Sequence, residues 1–253
     1  MKHTPLSNSD LSMGREHRRL PFGSMTDKSM LMTILALAWP TMLEQFMQTA
    51  VQYIDTAMVG TLGTQATAAV GSTATVNWLI GSTISAVGVG FLSYIAKAQG
   101  ANQQKSARRA VSQAVLITVI LGIFFTIVTT SLSGLVPVWM QVEPAIRAMS
   151  SKYFLILYLP MLPRAASIIF GTVLRSAGDT KSPMKIGVFV NLINVALNFL
   201  LIYPVREISF LSLDFTLWGA GLGVIGAAIA SAAAFTAGGI CITFVLWRHP
   251  RIS

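Results

Sequence analysis

Six stretches of this chain are apolar over lengths that cross a bilayer: residues 31–59, 67–96, 109–132, 150–174, 184–204 and 217–247. Crossing the hydrocarbon core takes about 20 apolar residues as helix. The composition agrees, with 53% hydrophobic and 11% charged residues, where a soluble domain carries roughly 25% charged residues. Mean hydropathy is +0.65. The expected fold is therefore an all-α integral membrane protein, a six-transmembrane-helix bundle. The second segment is diluted by Ser, Thr and Gly, and the sixth is long enough to tilt or to begin as an interfacial piece.

The net charge of +9 invites a nucleic-acid reading, but the positive residues form no patch. They alternate between the gaps that separate the apolar segments. Lys2, Arg15, Arg18, Arg19, Lys28, Lys97, Lys105, Arg108, Arg109, Arg175, Lys181, Lys185, Arg248 and Arg251 fall on one side, against Arg147, Lys152 and Arg206 on the other. Arg164 lies inside the fourth segment. That bias predicts both termini on the cytoplasmic side of a plasma or inner membrane. The expected organisation is a polar cytoplasmic tail, 1–30, with no cleavable signal peptide, a six-helix lobe, 31–247, and a cytoplasmic end, 248–253. The lone Cys241 supports neither a disulfide framework nor a metal site.

A polar line runs down the first segment. Glu44, Gln48, Gln52 and Asp55 stand at steps of four, four and three, which places them on one helix face. Carboxylates are costly in a membrane and usually face a cavity or a partner. Asp55 has the chemistry of a proton or sodium relay, though a helix-end aspartate wetted at the interface has the same spacing. The fifth segment places Asn191, Asn194 and Asn198 on one stripe. They can line a polar cavity or bind a cation, or hold helices together. By rise per residue, Asn198 and Asp55 sit at similar depth. Glu44 and Arg164 both fall near mid-segment and can pair or line a cavity separately. Asn77 and Trp78 lie mid-segment in the second run, where Trp78 can stack on a flat cation or pack in the core.

Other motifs read structurally. Gly221, Gly223 and Gly226 spell GxGxxG without the strand and soluble βαβ unit of a dinucleotide site, so close helix packing is expected. LRSAGDTKSP, residues 174–183, reads as a helix-ending turn with Pro183 opening the next helix. Pro40, Pro160 and Pro163 predict kinks. His3, His17 and His249 all lie in the tails, so no catalytic constellation is expected and the chain is not read as an enzyme.

The ordered set PTMLEQFMQTAVQYIDTAMVG, YIAKAQGANQQKSARRAV, LRSAGDTKSP, NVALN and GAAIAS resembles multidrug and toxic compound extrusion (MATE) transporters, from about Met30 to Trp247. The resemblance implies a cation-coupled antiporter that exports amphipathic cations, with sodium or protons as coupling ion and no other cofactor. It implies one lobe of a twelve-helix, two-lobe fold. The partners so implied are the lipid bilayer, small organic cations and a second six-helix lobe, either a missing carboxy-terminal half or a second copy. It assigns ion coupling to Asp55, Asn194, Asn198 and Ser231, and leaves Glu44, Gln48, Gln52, Asn77, Trp78 and Arg164 as cavity residues. Some members carry an aspartate where this chain has Asn198, so sodium and proton coupling both stay open. A lipid-linked precursor flippase of the related superfamily and a non-transporting fragment are the competing functions.

Overall fold

A computed structural model describes residues 27–210 and 213–249; the expected tail up to residue 26 and the end from residue 250 lie outside them. The elements are α1 (Asp27–Gly60), α2 (Thr64–Gly100), α3 (Gln104–Leu132), α4 (Val136–Trp139), α5 (Pro144–Tyr158), α6 (Met161–Ser176), α7 (Lys181–Leu201), β1 (Pro204–Phe210), β2 (Leu213–Ala220) and α8 (Gly223–Arg248). The chain divides into two compact units, Met1–Ala38 and Trp39–Ser253. Residues 27–38 of the first are helical; the packing and the site described below lie in the second.

The breaks between helices follow local chemistry. Gly63 takes φ +104° between α1 and α2, a conformation that costs glycine little. Pro144 opens α5, where its missing N–H has no intrahelical partner to lose. Residues 159 and 160 interrupt the fourth apolar segment, and α5 and α6 meet at a bend of 52°, as the prolines there foretold. Gly178 (φ +85°) ends α6: its N–H bonds the Arg175 carbonyl, and the Asp179 N–H bonds that of Leu174. This pair of bonds is a Schellman motif, with glycine at the left-handed position. Asp179 Oδ1 then accepts from the Ser182 N–H at 3.0 Å, which fixes the start of α7.

Helix α6 is the centre of the packing. Ala165, Ile169, Val173 and Leu174 have no exposed surface, and α6 packs against α2, α3 and α8. Between membrane helices, close van der Waals fit replaces the hydrophobic driving force. Helix α8 supplies that fit with buried Ala227, Ala228, Ala230, Ala234, Gly238 and Gly239. A Cβ at Gly239 would strike the Pro163 backbone, and one at Gly226 the Leu201 backbone. Of the Gly221, Gly223 and Gly226 set expected to serve close helix packing, Gly226 does so, whereas Gly221 and Gly223 are turn residues with positive φ. Facing outward, Leu116, Ile120, Phe124 and Ile127 of α3 and Ile240, Phe244 and Trp247 of α8 are exposed. An apolar belt of this kind suits lipid.

Helices α2, α3, α7 and α8 are each long and apolar enough to cross a membrane, and the bent pair α5–α6 adds a fifth if its two helices count as one broken span. Helix α1 is long enough at 34 residues, but Glu44, Gln45, Gln48 and Gln52 lower its hydropathy. The sixth expected segment, 217–247, is corrected at its start. Residues 213–220 pair antiparallel with β1, Ile208 opposite Phe215 and Arg206 opposite Leu217. Phe215, Thr216 and Trp218 are strand-favouring types, and Gly221 and Gly223, with φ of +63° and +55°, turn the chain into α8. The fifth segment likewise ends at Leu201, three residues before the expected 204.

Candidate functional site: a polar cavity with two charged walls

A cavity of about 730 Å³ opens among α1, α2, α5, α6, α7 and α8. Glu44, Gln48, Gln52 and Asp55 all line it, so the helical period of the polar line is the period of the cavity wall. Three clusters of side chains give the cavity its chemistry.

The first lies about 7–8 Å from the hairpin end of α1, because Asp55 is five residues before Gly60 and each adds about 1.5 Å. Asn198 is buried and donates from Nδ2 to Asp55 Oδ1 at 2.6 Å. Asn194 stands between Asp55 and Ser231. With Nδ2 turned to Asp55, it donates to both carboxylate oxygens at 2.9 and 3.1 Å, and its Oδ1 accepts from Ser231 Oγ at 3.1 Å. In the reverse orientation Nδ2 donates to Ser231 Oγ at 3.1 Å and Oδ1 accepts from Asn198 Nδ2 at 3.2 Å. The amide oxygen then faces the carboxylate, oxygen to oxygen, which is favourable only with a proton or cation between them. Asn198 Oδ1 is buried without a partner. The donor set is all oxygen with one formal negative charge, which fits a hard monovalent cation or a proton. Asp55 makes no ion pair among the described residues.

The second cluster sits where α5 breaks into α6. Asn77 Oδ1 accepts from Tyr158 OH at 2.9 Å and from Arg164 Nη2 at 2.6 Å. The guanidinium lies 4.7 Å from the ring centre of Phe235 and 5.3 Å from that of Tyr158. The bend at Pro160 is what brings Tyr158 and Arg164 to the same amide.

In the third cluster Glu44 and Arg164, for which pairing and separate places on a cavity wall were both open, do not pair, and each lines the cavity separately. Glu44 instead pairs with Arg175, whose Nη2 lies 2.6 Å from both carboxylate oxygens. Depth explains the difference. Glu44 is 16 residues before Gly60 in α1, about 24 Å of rise, most of a hydrocarbon core of about 30 Å. Its level is the far end of α6, where Arg175 stands, and not the α6 start that holds Arg164. Helix α7 approaches through Gly187, where an added Cβ would come within 3.3 Å of Glu44 Cγ.

Of the cavity residues expected from sequence, Asn77 and Arg164 line the cavity with the α1 stripe. Trp78 does not. It is 74% exposed on the outside of α2, since one helical step rotates it about 100° away from Asn77. Asn191 and Asn194 line the cavity, and Asn198 stands behind them. Sequence reasoning missed Arg175, Tyr158 and Phe235. The signal for Arg175 was its spacing of eleven from Arg164, three turns along one face of α6; its position beside a turn counted it with the flanking charges instead. Tyr158 and Phe235 sit in apolar runs and carry no such signal.

The sequence profile of the MatE family matches residues 40–200. Among curated relatives, the probable multidrug resistance protein NorM of Thermotoga maritima is 26% identical over 216 residues, covering 85% of this chain and 44% of its own length. The protein of the same name from Synechococcus sp. is 27% identical over 202 residues, 80% of this chain and 42% of that protein. The chain thus spans less than half the length of these relatives. Among solved structures, a MATE protein in complex with MaD3S superposes with a TM-score of 0.78 at 24% identity, over 87% of this chain and 47% of that one. The profile match covers more than half of the chain and includes the cavity wall of α1 and the asparagine stripe of α7, and on that ground the chain belongs to the MatE family of membrane transporters.

Proposed function

We propose that this chain supplies one lobe of a cation-coupled antiporter that exports amphipathic cations. Both termini are cytoplasmic in this reading, α1 is the sixth span, and a second six-helix lobe completes the pathway. The observation that carries it is the Asp55 carboxylate on the wall of a large cavity, held by amides from Asn198 and Asn194 and paired with no cationic side chain among the described residues.

The mechanism is competition. With Asp55 ionised and empty, the negative wall attracts an organic cation. A proton or sodium ion neutralises the carboxylate, and the attraction is lost. Coupling follows because ion and substrate bind the two states with different affinity. The alternative of a lipid-linked precursor flippase calls for a strongly cationic cavity; Glu44 neutralises Arg175 and leaves one guanidinium, Arg164, on these walls.

The test is ion-driven efflux of a fluorescent cation by the intact transporter carrying Asp55→Asn. This change keeps the shape and removes the charge. Efflux is expected to fall at least about tenfold, the effect of losing one charge-assisted contact, with membrane expression unchanged. Efflux equal to the parent's would refute the assignment.

A further inference from the structure

We propose that the α2–α3 hairpin carries a binding site for an anionic phospholipid. Lys97, Lys105 and Arg109 take the headgroup phosphate, and a groove between the two helices takes an acyl chain. The proposal needs the hairpin at a membrane surface and does not depend on ion coupling.

A groove of about 350 Å³ runs between α2 and α3 and shares no residue with the main cavity. Val87, Gly90, Phe91 and Tyr94 line it from α2, and Ala110 and Gln113 from α3. Steps of three and four set each group on one helix face. Gly90 keeps the floor open: an added Cβ there would meet nothing within 4 Å. On α3 the stripe from Gln113 continues to the exposed Leu116 and Ile120, so the groove borders the apolar belt. From Val87 to Lys97 is about 15 Å of helical rise, half of a hydrocarbon core of about 30 Å. That is the depth of one leaflet.

The end of the groove nearest the turn is basic. Lys97 follows Tyr94 by three residues, Arg109 precedes Gln113 by four, and Lys105 precedes Arg109 by four, so each sits one turn along from its neighbour. Lys97 is three residues before the α2 end at Gly100, and Arg109 five after the α3 start at Gln104. Those steps are about 5 and 8 Å of rise, neighbouring levels across the hairpin. All three cations are exposed. Residues 64–132 hold Lys97, Lys105, Arg108 and Arg109 and no aspartate or glutamate. None of the four forms an ion pair among the described residues. A basic cluster beside a membrane segment attracts anionic lipid. A free phosphate would use the cations and leave the apolar slot unfilled; a phospholipid uses both. Tyr94 and Gln113 add a hydroxyl and an amide where the slot meets the cations.

Arg108 is the internal control. It lies about 140° around α3 from Gln113, off the groove, and carries the same charge. The test is native mass spectrometry of the purified intact transporter, titrated in detergent with phosphatidylglycerol and with phosphatidylcholine of the same acyl chains. The parent is expected to hold its tightest phosphatidylglycerol at least about tenfold more strongly than phosphatidylcholine. Lys97→Gln and Arg109→Gln are each expected to weaken phosphatidylglycerol about fivefold, the effect of one basic residue at a membrane surface. Arg108→Gln should leave it unchanged. Gly90→Leu fills the groove and should weaken both lipids. Equal retention of the two lipids by the parent, a comparison that needs no variant to fold, overturns the proposal. So does an equal loss in Arg108→Gln and Arg109→Gln, or undiminished binding in Gly90→Leu. Displacement of phosphatidylglycerol by inorganic phosphate, but not by chloride at equal ionic strength, would assign the cations to a soluble anion instead and also overturn it. Failure of the transport reading shows separately, since lipid retention in detergent needs neither ion coupling nor a fixed orientation.

Discussion

At the scale of the residue, Asp179 shows how a side chain outside the membrane sets a junction. Burial pushes its pKa up, but hydrogen bonds from the Ser182 side chain and backbone and the Lys181 N–H, together with nearby His249, outweigh it and hold the carboxyl below its usual value of 3.8. A carboxylate with a depressed folded pKa stabilises the fold above its unfolded pKa, and the contribution fades as pH falls through the folded value. Asp179→Ala is expected to cost about 0.5–2 kcal/mol at neutral pH, as for a lost helix cap. The gap between parent and variant in thermal unfolding should narrow as pH drops below about 3.8, the reference value that sets the top of the window. A gap that stays constant from neutral pH to well below this window contradicts the account of the turn. Residue chemistry was partly legible beforehand. The steps from Glu44 to Asp55 announced one helix face, and that face is the cavity wall. Which arginine meets Glu44 was not legible, because partner choice depends on depth, and depth depends on where each helix meets its neighbours.

At the scale of the element, the Glu44–Arg175 pair joins α1 to α6 at 2.6 Å, with α7 packed beside it at Gly187. Removing one partner leaves a buried charge uncompensated, at about 3–5 kcal/mol. Glu44→Leu and Arg175→Leu are each expected to lower thermal stability by this order. The double replacement should restore most of the loss, since an apolar pair replaces a buried ion pair at little cost. Losses that simply add in the double variant would show that the two groups act independently. The helices themselves were legible as apolar runs, and the break at Pro160 was legible because proline cannot sustain the ladder. The β1–β2 hairpin was not. Its second strand, rich in aromatic and β-branched residues, continues directly into the apolar α8, and hydropathy alone joins the two. Only the positive-φ turn at Gly221 and Gly223 separates them.

For the whole molecule, transport depends on orientation in the membrane and on ion coupling. The charge bias of the sequence sets an expectation for topology. In a transporter lacking Cys241, single cysteines at Ala145 and Phe210 should react with an impermeant reagent applied from outside, and cysteines at Gln103 and Thr180 should not; reaction at either of the latter inverts the lobe. Coupling is tested most directly by ion release. The purified intact transporter, in weakly buffered solution, is mixed with a fluorescent organic cation while pH and free sodium are followed. The expected result is release of a proton or a sodium ion as the dye binds, dye affinity that weakens when that ion is raised, and loss of both effects in Asp55→Asn. Dye binding that releases neither ion, or release that persists undiminished in Asp55→Asn, would contradict an ion site at Asp55, Asn194 and Asn198.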